Sequence, residues 1–208
     1  DYVRFYIPYG KLKKIYLHSK ILTMKLLFFL LALGTVVAQP TATPAQELLN
    51  STSNLDRLVS RSLVAKLPLT NIGPSVMSGR VTDIDVNPMA PHEFYVGYAS
   101  GGLWYTTNNG TTFQPVMDNS PTQNIGDIAV HWPTHTIYVG TGENNSSRSS
   151  YAGIGILKST DKGASWQHIG LADSHHIGKI EINPTDPNEV IVGVTGHLYS
   201  SDSARGIY

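Results

Sequence analysis

Two polar stretches of this 208-residue chain hold most of the side chains capable of chemistry. Glu143, Asn144, Arg148 and Tyr151 lie between apolar segments ending at Val139 and resuming at Ile156, while His197, Asp202 and Arg205 lie between Val192 and Ile207. Arg80, Asn119, Asn124 and the pair His175-His176 flank comparable apolar segments. Glu143 opens the longest stretch and offers a carboxylate to a ligand. Arg80 and Arg205 suit either a ligand or pairing with loop carboxylates and carbonyls. Glycosidic hydrolysis would need two facing carboxylates about 5 to 10 Å apart. A metal would need converging ligands, whereas adjacent histidines diverge and no third ligand is spaced to join them. The ligand-binding candidates are therefore Arg80, Glu143, Asn144, Arg148, His197 and Arg205, and neither metal nor cofactor is expected.

Internal repetition identifies the elements that position these residues. Ser159-Thr160-Asp161-Lys162-Gly163-Ala164-Ser165-Trp166 has an echo at Thr106-Thr107-Asn108-Asn109-Gly110-Thr111-Thr112-Phe113, at an offset of 53. Asp or Asn two residues before Gly is turn chemistry: the side chain accepts backbone N–H bonds and Gly supplies positive φ. Flanking hydroxyls close further local bonds, and the terminal aromatic requires a buried surface. Each copy thus predicts a hairpin turn pinned by its own side chains.

The repeat extends into the strands. Asp85–Gly97 aligns with Glu181–Gly193 at an offset of 96, sharing the Asn-Pro turn, and a middle copy runs from Ile128 to Gly140. Gly102-Leu103-Trp104, Gly155-Ile156-Leu157 and Gly206-Ile207-Tyr208 begin three copies of a further strand. β-Branched content and alternation support strand at each. One supersecondary unit per period is the pattern of repeat architectures.

The octapeptides resemble the Asp-box, or BNR repeat, of bacterial sialidases, xyloglucanase-type glycosidases and the sortilin ectodomain. The resemblance implies a turn between the third and fourth strands of a propeller blade. It gives Thr106, Asn108, Gly110, Phe113, Ser159, Asp161, Gly163 and Trp166 a structural role. The combination of Asn71-Ile72-Gly73-Pro74, Ser78-Gly79-Arg80-Val81, Tyr138–Asn144 and the box at Ser159 is similar to large secreted bacterial proteins with sortilin-like, BNR-type propellers, over about Leu67–Tyr208. Two departures stand out. Xyloglucanase-type relatives carry an Asp shortly before the Gly-Gly of their first blade, where this chain has Tyr98-Ala99-Ser100. Sialidases carry a Phe/Tyr-Arg-Ile-Pro motif, which is absent here.

The expected fold is all-β: a β-propeller of four-stranded antiparallel blades with Asp-box turns, of which about two and a half are present over residues 67–208. Four to eight blades usually close such a ring, so the remaining blades of a longer chain are expected partners. Met24–Ala38 has the form of a signal peptide, with Lys25, an apolar run and Val36-Val37-Ala38. Asp1–Thr23 is expected to be upstream sequence, and residues 39–66 a linker with a possible short helix over Leu55–Leu67. The apolar run is short of the roughly 20 residues that span a bilayer. No membrane span is therefore expected after signal removal, and the location is secreted or cell envelope. Fifteen basic residues balance fifteen acidic ones, which offers nucleic acid no electrostatic attraction. The chain has no cysteine, excluding disulfides and thiol chemistry. An extracellular propeller binding glycan or peptide is the leading functional expectation, with a glycoside hydrolase of sialidase or xyloglucanase-like type as the alternative.

Overall fold

The computed structural model describes residues 18, 20–25, 43–67, 79–147 and 150–208. It divides into two units, residues 1–42 and Thr43–Tyr208. In the first, residues 20–25 are helical. Most of Asp1–Thr23 and of Met24–Ala38, all of Asn71–Pro74, and Arg148 lie outside the described residues. Among those described, no helix is long and apolar enough to cross a membrane.

The second unit opens with helix α1 (Ala45–Arg61). It starts within the stretch whose composition suggests linker and stops short of Leu67. The carbonyl of Pro44 receives the first helical N–H bonds, and Glu47 and Arg61 sit at the ends that the helix dipole favours. Its serines are tolerated because Ser51, Ser53 and Ser60 return their hydroxyls to carbonyls three or four residues back. Leu49 packs on the core below, while Leu48, Leu55, Leu58 and Val59 remain exposed.

Eleven strands follow: β1 (Val81–Val86), β2 (Phe94–Tyr98), β3 (Gly102–Thr106), β4 (Gln114–Pro115), β5 (Ile125–His131), β6 (Thr136–Thr141), β7 (Ile156–Ser159), β8 (Gln167–Gly170), β9 (Ile177–Asn183), β10 (Asp186–Val194) and β11 (Gly206–Ile207). They form two four-stranded sheets, β1-β2-β3-β4 and β5-β6-β7-β8, and a three-stranded sheet, β9-β10-β11, each a sequential antiparallel meander. A register shift recurs near the start of β1, β5 and β9. It makes Asp83, Asp127 and Lys179 equivalent.

The first strand of each sheet lies against the first strand of the next. Asp85 accepts the Val130 N–H and the Trp132 indole N–H, both at 2.7 Å. Asp127 does the same for the Ile180 N–H at 2.7 Å and holds Lys179 Nζ at 3.3 Å. Apolar faces fill the gaps. Tyr95 and Leu103 of the first sheet meet Ile128, Val139 and Leu157 of the second. Ala129, Tyr138 and Ile156 of the second meet Ile180, Val192 and Val194 of the third. Successive meanders packed face to face, with their first strands innermost, make this part of an all-β propeller.

Both octapeptides form the turn from third to fourth strand, with matching bonds. Ser159 Oγ accepts the N–H of Gly163 at 2.9 Å and donates to Asp161 Oδ1 at 2.7 Å, and Asp161 Oδ1 accepts the Ser165 N–H at 2.9 Å. Thr106 Oγ1 accepts the N–H of Gly110 at 3.0 Å and donates to Asn108 Oδ1 at 3.0 Å, which accepts the Thr112 N–H at 2.9 Å. The Ser165 hydroxyl, then its backbone N–H, hold the Asp161 carboxyl down at about 2. The copies differ at their ends. The Trp166 indole donates to Val116 O of the preceding sheet at 2.9 Å, whereas Phe113 packs edge-on against Phe94 of its own sheet.

Candidate loop-face binding site

The turns described above occupy one rim of the sheets. The opposite rim gathers the β2–β3, β6–β7 and β10–β11 loops with the β4–β5 and β8–β9 connections, and it carries the polar stretches singled out in the sequence. Loop residues on a rigid scaffold are well placed for binding.

Backbone crossings fix this rim. Gly142 N–H donates to Asn124 O at 3.0 Å, Glu143 N–H to Tyr151 O at 3.0 Å, and Gly153 N–H to His175 O at 2.7 Å. Gly142 has φ +88°, and a Cβ there would collide with the carbonyl of His175. The Thr141 hydroxyl closes the loop base, donating to Gly155 O at 2.6 Å and accepting the Ile154 N–H at 2.7 Å.

Glu143 is fully buried. Arg80, at the start of the first sheet, donates Nε to Glu143 Oε1 at 2.7 Å and also donates Nη2 to that oxygen. Asn145 adds a bond to the same oxygen at 3.3 Å, while Oε2 has no partner among the described residues. The Arg80 side chain is 51% exposed. Arg80 and Glu143 therefore clamp the β6–β7 loop to the first sheet, and the carboxylate presents no surface to solvent. Asn144 extends the tie to the third sheet, donating Nδ2 to Gly178 O at 3.2 Å. Arg205 is spent on carbonyls, with Nε to Thr195 O and Nη2 to His197 O, both at 2.8 Å.

His197 belongs to a second cluster. Asp202 Oδ2 contacts both the His197 N–H and its ring Nδ1 at 2.7 Å, and Oδ1 accepts the Ala204 N–H at 2.9 Å. The backbone N–H groups of Ala204 and then His197 hold the Asp202 carboxyl at about 2. The His175 ring lies 3.5 Å, centroid to centroid, from that of His197. His175 has φ 54° and ψ −51°, and the Ser174 carbonyl accepts the His176 N–H across it. This is the strained hand of γ-turn. Burial, then the charge of His197, lowers the His175 pKa. Burial also lowers that of His176, against a bond from its ring to the Glu143 backbone.

Sequence reasoning passed over Tyr199. Its ring is 75% exposed, and its hydroxyl donates to Ser147 O at 2.9 Å, linking the two long loops. Tyr151, on the partner loop, is 54% exposed. The only available signal was its place beside His197 in a long loop. The His175–His197 stack had none, because it depends on backbone strain. Among the described residues, no three His, Cys, Asp or Glu side chains converge as metal ligands.

No known family profile matches the chain, and no curated protein matches it. Among solved structures, the crystal structure of an ancestral GH74 enzyme is similar at 21% identity and TM-score 0.45, covering 55% of this chain and 16% of that one. The crystal structure of the Niastella koreensis GH74 enzyme gives 21% identity and TM-score 0.42, covering 53% of this chain and 16% of that one. This chain thus spans about a sixth of each. Its architecture is assigned from its own strand pairing and sheet packing.

Proposed function

We propose that this chain is the glycan-binding part of an extracellular propeller of BNR/Asp-box type, exported by the leader over Met24–Ala38 and joined in the whole protein to further blades. The observation that carries this reading is the pair of exposed rings, Tyr151 and Tyr199, on loops tied together at Ser147. A flat aromatic with a polar tip suits the apolar face and hydroxyl rim of a sugar. Interlocked loops hold the rings with little ordering left to do on binding.

The same geometry favours binding over turnover. Glu143 is enclosed and paired with Arg80, and Asp202 is committed to His197 and to two backbone N–H groups. A glycan array combined with a reducing-sugar assay tests the reading. Binding without sugar release is the expected result; release would favour glycoside hydrolysis, and retention of peptides alone would overturn the glycan assignment.

A further inference from the structure

The Asp202–His197 pair has more order than a loop closure needs. Asp202 is ionised at neutral pH and can only accept, so the neutral His197 ring carries its hydrogen on Nδ1. Its lone pair is then on Nε2, to which no described residue bonds. Three bonds hold the carboxylate, the Arg205 guanidinium holds the His197 carbonyl, and the His175 ring backs the imidazole. His175 is held at positive φ, with its ring packed against that of His197. His197 is 35% exposed at its side chain, on the loop that carries Tyr199.

We propose that His197 is the hydrogen-bond acceptor of the loop face, receiving a hydroxyl of a neutral glycan on Nε2, with Asp202 as its positioning residue and the tilted His175 ring packed against it. This rests on the glycan-binding reading and adds a named polar contact to it. The titratable and charged groups around the cluster are Asp202, His175, His176, Asp173 and Arg205. Of these, Asp202 stays ionised at neutral pH.

The test is calorimetric titration of the purified protein with cellohexaose, mannohexaose and a xyloglucan heptasaccharide at pH 7.5, for wild type and His197→Phe. Wild type should bind at least one of the three, and His197→Phe should bind it about fivefold or more weakly, the loss of one hydrogen bond. Long-range ¹H–¹⁵N correlation of the imidazoles should find Nδ1 of residue 197 protonated at pH 7.5. Asp202→Asn, whose amide can donate to Nδ1, should move the proton to Nε2 and weaken binding. If wild type binds none of the three, the glycan reading fails and this assignment with it. If wild type binds but His197→Phe keeps its affinity, only this assignment is overturned. An unprotonated Nδ1 in wild type would also overturn it.

Discussion

At the scale of single residues, the two members of the Arg80–Glu143 pair are not equivalent, because Glu143 is enclosed while Arg80 is half-exposed. Removing the arginine strands a buried carboxylate; removing the carboxylate's charge leaves an arginine that water can solvate. Arg80→Met should therefore destabilise by about 2 to 3 kcal/mol and Glu143→Gln by about 1 kcal/mol, measured by urea unfolding. Equal losses would contradict the clamp. Arg80 and Glu143 were both visible in the sequence as polar residues at strand ends. A loop carboxylate was one of the two partners open to Arg80, but Glu143 could not be singled out, since the pair joins positions 63 residues apart in different sheets.

At the scale of elements, the turns show how much a repeat can encode. Ser159, Asp161 and Gly163 each do what their spacing predicts, because every bond in the turn is local to the octapeptide. The exception is Trp166, which leaves its own sheet to reach Val116. Trp166→Phe should cost about 1 kcal/mol for the lost indole bond. Phe113→Trp should gain nothing similar, because the first turn packs within its own sheet. Thermal melts of the two variants check this, and equal effects would deny an inter-sheet role to Trp166. The loop base is stricter still. Gly142→Ala must place a Cβ against the carbonyl of His175 at positive φ, so a loss of about 3 kcal/mol or more is expected. Helix α1 was harder to read from sequence: Ser51 and Ser53 suggest linker until their hydroxyls are seen bonding back along the helix.

At the scale of the whole molecule, the sheets are joined along their first strands by carboxylates that cap the next strand's backbone. The alternating pattern predicted strands and their order. It did not predict that Asp85 and Asp127 bridge sheets, because an acid in a strand is more often solvated. Burial raises the Asp127 pKa to about 6, so the folded state holds its proton more tightly than the unfolded chain. Its contribution is complete below about pH 4 and is lost as pH rises through 6. Asp161 and Asp202, held at about 2, act oppositely: their contributions are present above about pH 4 and lost as pH falls through 2. Stability should thus rise from pH 2 to 4 and then give some back by pH 6, and Asp127→Asn should reduce the later decline in melting temperature, the remainder belonging to Asp85, whose pKa burial also raises. The first sheet also leaves Ile84 exposed, although the equivalent Ile128 and Ile180 are 1% exposed. That free face matches the one each later sheet buries against its predecessor.

The central claim places binding on the loop face and leaves the octapeptide turns to hold the sheets. Its most direct test is glycan affinity, measured by titration calorimetry, for wild type, Tyr199→Phe and Tyr199→Ala. Tyr199→Phe keeps the ring and removes only the bond that ties its loop to Ser147, so affinity should fall by no more than about fivefold. Tyr199→Ala removes the ring and should weaken binding about tenfold or more. Unchanged binding in Tyr199→Ala, or its loss in Asp161→Ala while the fold is retained, would contradict the account.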